Sequence, residues 1–175
     1  MCSFILQPKL LHMDRERTVV RVALYHRGSF LLLHKDGASK EKGLREFPGG
    51  GLEDFEDSYD ACIREVSEET NISIQRDTLT EIQEFSYTFH ISGSGEYKRT
   101  VRLFLCCLDD TKKYSVQLNP QEKHEDYSWV TPKGLCRLAN RKSVNTYTQK
   151  REILLSNASR RVDKLLSHLQ KPCIA

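Results

Sequence analysis

Three glutamates, Glu65, Glu68 and Glu69, stand within five residues in the stretch "REVSEETNI" (64–72). On an α-helix, positions three and four apart share a face, so these carboxylates would crowd into one cluster. Between Glu53 and Glu69 eight carboxylates face a single cation, Arg64. Like charges at this spacing repel, and a hard divalent cation with oxygen ligands, Mg²⁺ or Mn²⁺, is the natural partner. Arg64 lies four residues before Glu68 and can brace the cluster from the side. The competing reading of an acidic run is a solvated helix face.

The preceding "FPGGG" (47–51) supplies the other half of the chemistry. Glycines let backbone approach a ligand closely and can aim the carbonyl of Gly49 or Gly50 at a metal, while the N-terminus of the following helix favours phosphate. Metal and phosphate together imply phosphoryl chemistry, in which divalent ions offset charge and generate a hydroxide nucleophile that a nearby carboxylate helps to deprotonate.

Such residues need a scaffold. "RTVVRVALYHRGSFLLLHKD" (17–36) reads as two strands joined by a turn at "HRGS". A loop rich in Gly and Lys follows, with a short strand ended by Pro48 and the glycines. Asp57 or Ser58 can cap the helix, and Tyr59, Cys62, Ile63 and Val66 form its inward stripe. Period two then places Phe85, Tyr87, Phe89 and Ile91 on one strand face, with further strands at 97–108 and 127–130. "TPKGLCRLA" predicts a short helix with Pro132 in its first turn, and 148–169 a long one whose stripe includes Leu155, Leu165 and Leu169. This order predicts an α/β fold, a three-layer α/β/α sandwich around a mixed central sheet, with residues 1–175 as one domain.

Gly50, Glu56, Arg64, Glu65, Val66, Glu68, Glu69 and Ile72 together resemble, in register, the signature of the Nudix hydrolase superfamily over 23 of 175 residues. The one departure is Asn71, where that signature has glycine. The position should be left-handed, which asparagine tolerates at a cost of about 1 kcal/mol. The resemblance implies that Glu65, Glu68 and Glu69 bind metal, that Glu56 and Arg64 orient the loop and helix, and that a carbonyl of Gly49 or Gly50 joins them. It further implies two or three Mg²⁺ or Mn²⁺ ions and water attack on phosphorus in a nucleoside diphosphate linked to another group. A later carboxylate often completes such sites, and Glu122 and Glu125, ahead of Trp129, are both candidates. His124 between them contacts phosphate or is solvated, the second being the simpler reading.

The residues that choose the substrate lie outside this signature. Tyr87 stands close to where proteins resembling diadenosine polyphosphate hydrolases carry a base-stacking tyrosine, although alternating aromatics also mark a core face. Lys40, Lys42, Arg45, Lys98 and Arg99 could grip a polyphosphate. The favoured substrate is a dinucleoside polyphosphate or another nucleoside polyphosphate. The alternatives are MutT-like pyrophosphohydrolysis of (oxidised) nucleoside triphosphates, nucleotide-sugar hydrolysis, and RNA 5′-end decapping or RNA binding. RNA enters because residues 132–175 hold ten Lys or Arg against two acids.

The net charge is +3, and no apolar run approaches a bilayer span. Six cysteines without metal-site spacing read as reduced thiols, and Cys106 and Cys107 should point to opposite faces. No secretory leader is recognisable at the start. The expected protein is cytoplasmic, without a membrane partner, and a monomer or homodimer.

Overall fold

The computed structural model describes residues 16–35, 45–91, 95–122, 124–139, 164 and 167–169. Strand β1 (Glu16–His26) turns at Arg27 and Gly28 into β2 (Ser29–Lys35). Both turn residues have positive φ, 45° and 79°, as a two-residue hairpin with the right-handed twist of its strands requires. Next come β3 (Arg45–Glu46), α1 (Ser58–Thr70), one 3₁₀ turn (Arg76–Thr78), β4 (Leu79–Ile91), β5 (Gly95–Cys107), β6 (His124–Val130) and α2 (Pro132–Ala139). The sheet runs β3-β2-β1-β5-β4, with β6 paired to β2. β1 and β5 are parallel and the other pairs antiparallel, so the sheet is mixed as expected.

Alternation along the strands divides the core in two. Val20, Val22, Leu24, Leu31, Leu33, Phe104 and Cys106 pack with Ala61, Cys62 and Val66 of α1. Ala23, Phe30, Leu32, Leu103 and Leu105 pack on the other side with Leu135 of α2. Each large side chain buried this way contributes about 1.5–3 kcal/mol. Cys106 is buried and Cys107 exposed, as alternation requires. Among the described residues no helix is long and apolar enough to cross a membrane.

One irregularity in this sheet builds the site. β1 and β2 pair beside their turn, at Tyr25 with Phe30 and His26 with Ser29, and then separate. The chain after β3 enters this wedge and pairs with β1: Val22 N–H donates to Pro48 O and Val20 N–H to Gly50 O, both at 2.8 Å. A Cβ at Gly49 would stand 2.3 Å from Val20 O, and its φ is 138°, so close approach and backbone conformation both require glycine there.

Asp57 is the N-cap of α1, its side chain accepting from Tyr59 N–H and Asp60 N–H. Asn71 ends the helix in the left-handed conformation (φ 57°, ψ 25°), with its N–H on Ser67 O. Its amide also donates to Gln117 Oε1 at 2.9 Å, a tie to the 109–119 segment that glycine could not make. β6 begins at His124, three residues earlier than the strand expected at 127, because its register with β2 extends to Lys35. The expected long helix at 148–169 lies outside the described residues except at 164 and 167–169, where Leu169 packs on the second cluster.

Candidate active site

Arg64 is the centre of the arrangement. Its Nε and Nη2 donate to the two oxygens of Glu56 at 2.8 and 2.9 Å, a bidentate fork. Nη1 donates to Glu65 Oε1 at 2.9 Å and Glu68 Oε2 at 3.0 Å, and Nη2 to Gly51 O at 3.0 Å. One side chain therefore ties the acid of the entering loop, the last glycine and two carboxylates of α1 into one unit. Glu56 also accepts from Glu53 N–H, which closes the loop on itself.

Glu69 is set apart from this unit. It is 5% exposed and accepts from Gly49 N–H at 2.8 Å, which joins the helix to the glycine segment. Its other oxygen, Oε1, lies 3.6 Å from His124 Nδ1. His124 Nε2 in turn meets Glu46 Oε1 at 3.1 Å, and Glu46 also pairs with Lys35 at 2.5 Å and Arg21 at 3.3 Å. An ionised carboxylate only accepts, so Nε2 carries the proton and Nδ1 faces Glu69. His124 Nδ1 and Arg21 Nη1 are buried without a hydrogen-bond partner.

Burial pushes the Glu69 carboxyl up to about 7, although Gly49 N–H, His124 and Arg21 all oppose this. Burial also raises Glu65, against Arg64. At Glu46 burial again resists ionisation, but Arg21, the His124 hydrogen bond and Lys35 hold its carboxyl far below the usual range. The signs follow from proton counts. Between about 4.5 and 7 the folded state keeps a proton on Glu69 that the unfolded chain has released, so metal-free stability falls as pH rises through that interval. The Glu46 contribution is present above the unfolded carboxylate pKa and lost only below it. Thermal unfolding in EDTA is expected at a higher temperature near pH 5 than near pH 8, and Glu69→Gln should flatten that difference. Unfolding temperatures that rise from pH 5 to pH 8 in EDTA would contradict the assignment.

The donor set suits a hard cation. Glu65, Glu68 and Glu69 project from one turn of α1, and a Cβ at Gly50 would meet Glu65 Oε1 at 2.3 Å, so the carboxylate rests on bare backbone. Glu65 and Glu68 are turned to Arg64 and Glu69 to Gly49, and among the described residues no three acidic, His or Cys side chains converge on one cation-sized space.

The other residues singled out in the sequence fall around this centre. Arg45 is exposed on β3, paired in register with His34. Lys40 and Lys42 lie outside the described residues. Glu122 is half-buried in a turn closed by its N–H on Asn119 O. Glu125 is exposed on β6, while His124, expected to face solvent, is the residue turned inward, because neighbours on a strand point to opposite faces. Lys98 pairs with Glu16 at 3.7 Å. Half-buried Tyr87 and Phe89 and buried Tyr97 form an aromatic strip, with ring centroids 6.0 and 5.7 Å apart. Glu46, Arg21 and Arg17, whose guanidinium packs over Gly51, were not anticipated. The usable signal was a pair of arginines at even spacing in an otherwise apolar strand.

A mixed sheet whose opened hairpin admits a glycine segment, facing a helix of carboxylates braced by one arginine, defines a distinct class of α/β protein. The NUDIX domain family model matches residues 15–151, and the chain belongs to that family. Nudix hydrolase 2 of Arabidopsis thaliana is 26% identical over 113 residues, which cover 59% of this chain and 37% of that protein. The chain thus matches little more than a third of that relative's length. A C. elegans Ap4A hydrolase structure is similar with a TM-score of 0.56 and 21% identity, over 84% of this chain and 98% of that one. A bifunctional NMN adenylyltransferase/ADP ribose pyrophosphatase from Francisella tularensis, complexed with AMP and a Mn ion, gives 0.55 and 22%, over 81% and 42%. At these identities the two structures show the fold.

Proposed function

We propose that this protein is a divalent-metal-dependent hydrolase of a phosphoanhydride bond in a nucleoside diphosphate linked to a further group, with dinucleoside or other nucleoside polyphosphates as its substrates. The observation that carries this reading is the presentation of Glu65, Glu68 and Glu69 from one helix turn against Gly49 and Gly50, with Arg64 fixing both helix and loop. These carboxylates would hold two or three Mg²⁺ or Mn²⁺ ions. Val20 N–H already occupies the Gly50 carbonyl, which favours Gly49 as the backbone ligand. Once bound, such ions offset phosphate charge and lower the pKa of a coordinated water.

The roles of the chain's own groups follow. Water adds to phosphorus, the anhydride P–O bond breaks, and the water's proton passes to a carboxylate of the cluster; Glu68, the most exposed of the three, is best placed for it. Glu56 and Arg64 would orient loop and helix, Arg45 and Lys42 would contact the phosphates, and Glu122, before β6, or Glu125, on β6, would complete the site. Tyr87 offers an aromatic face for a base, and similarity to an Ap4A hydrolase over nearly its whole length supports a substrate with two nucleosides. Residues 1–175 act as one domain.

A substrate panel with Mg²⁺ tests this. Dinucleoside polyphosphates, nucleoside triphosphates, ADP-ribose and 5′-capped RNA are offered to the wild type, and products are identified. Mononucleotide products from dinucleoside polyphosphates are expected. Pyrophosphate released from triphosphates as the main product would assign MutT-like activity instead, and no turnover of any member would overturn the enzymatic reading.

A further inference from the structure

His124 is a buried polar residue that the chemistry above leaves unused. Its side chain is 1% exposed, and its Nδ1 is buried without a hydrogen-bond partner among the described residues. Nδ1 stands 3.6 Å from Glu69 Oε1, beyond hydrogen-bond reach. Buried polar atoms are almost always satisfied, so one left over in this position calls for a reason.

The other side of the ring supplies one. Nε2 donates to Glu46 Oε1 at 3.1 Å, and the pairing of His124 with Lys35 in the register of β6 on β2 fixes the backbone from which the ring projects. In a neutral imidazole one nitrogen donates and the other accepts, so a proton held at Nε2 by a carboxylate turns the lone pair of Nδ1 towards Glu69. Carboxylate, imidazole and cation in series is the usual arrangement around a metal-bound histidine, in which the carboxylate fixes the tautomer and raises the basicity of the ring.

The spacing agrees with this. Two donors about 2.1 Å from one ion stand about 3.0 Å apart at a right angle and about 3.4 Å apart at a tetrahedral one. The 3.6 Å between Nδ1 and Oε1 is close to the second value, while Glu69 Oε2 stays on Gly49 N–H. No protein cation fills the gap. Arg21 and Lys35 are paired with Glu46, and Arg21 Nη1, itself without a hydrogen-bond partner, reaches neither Nδ1 nor Glu69.

We propose that His124 Nδ1 is a ligand of the cation that Glu69 binds, with Glu46 as the carboxylate that orients the ring. Among the described residues no third acidic, His or Cys side chain joins this pair, so oxygen from water or backbone completes the coordination. This rests on the reading of Glu69 as a metal ligand and adds one nitrogen to a donor set otherwise made of oxygen. A nitrogen donor favours a transition ion such as Mn²⁺ over Mg²⁺.

The test loads the full chain with Mn²⁺, without substrate, and records nitrogen couplings at the ion by pulsed electron paramagnetic resonance. A coupling from an imidazole nitrogen is expected, and it should change isotope when the protein is made with ¹⁵N-labelled histidine. His124→Gln and His124→Asn should each abolish the histidine coupling. By calorimetry both should weaken Mn²⁺ binding by about 10–100-fold while changing Mg²⁺ binding much less. Glu46→Gln should keep the coupling but weaken Mn²⁺ binding by roughly tenfold. Mn²⁺ held by the wild type without a histidine coupling overturns the proposal before any variant is made. So does a histidine coupling that survives both substitutions of His124. Failure of the wild type to bind Mn²⁺ at all would remove Glu69 as a ligand too, whereas failure of the hydrolase reading shows separately, as absence of turnover in the substrate panel.

Discussion

Replacing Glu69 with glutamine is expected to lower kcat by roughly 10²–10⁴-fold, because a lost metal carboxylate removes several kcal/mol of charge stabilisation and each 1.36 kcal/mol is tenfold in rate. The same substitution should leave the metal-free fold intact or strengthen it. The carboxyl is held up to about 7 by burial, so near pH 8 the folded protein carries an ionised group it would rather keep neutral. The upper bound on that cost is about 3 kcal/mol. Glutamine retains an oxygen for Gly49 N–H, which donates at 2.8 Å, and removes the charge. Activity and stability should therefore move in opposite directions, the mark of a residue selected for chemistry rather than packing. Turnover in parallel with thermal unfolding in EDTA near pH 8 makes the comparison. A variant with near-normal kcat, or one that unfolds many degrees earlier, would exclude Glu69 as a ligand.

Arg64→Ala should be the most damaging single change to the site as a structure. It deletes hydrogen bonds to Glu56, Glu65, Glu68 and Gly51 O at once and leaves Glu56 and Glu65, both largely shielded, without their cation. Breaking a buried pair by removing one partner costs about 3–5 kcal/mol, and the partial exposure of Arg64 lowers the expectation to about 2–4 kcal/mol. Activity should drop by about 10²-fold or more, since the loop and two carboxylates lose their common anchor. Arg64→Lys separates charge from geometry. An ammonium keeps the positive charge but cannot form the fork on Glu56, so stability should largely return while kcat stays at least about tenfold down. If lysine restores both, the cluster needs only a positive charge there and the orienting role is wrong.

Helix α1 was legible from the chain alone because each of its signals is local. Cap, inward stripe and the three carboxylates are all set by spacings of three and four on one helix, and the left-handed Asn71 follows from the conformations its side chain tolerates. The hairpin at Arg27–Gly28 and the alternating strands were readable for the same reason, as was a mixed sheet between helices. The inward turn of His124 was not. It depends on the register of β6 against β2, which extends the strand three residues and decides which neighbour faces Glu69. Glu46 falls in the short strand expected before Pro48, but its partners could not be read from the chain: pairing with Leu33 brings it against Arg21, Lys35 and His124. By itself the sequence determined which groups could do chemistry, because helical and strand periods are properties of neighbouring residues. Only the tertiary structure decided which cations and acids surround them, because strand register is settled by the burial of two whole sheet faces, to which residues far apart in the chain contribute together.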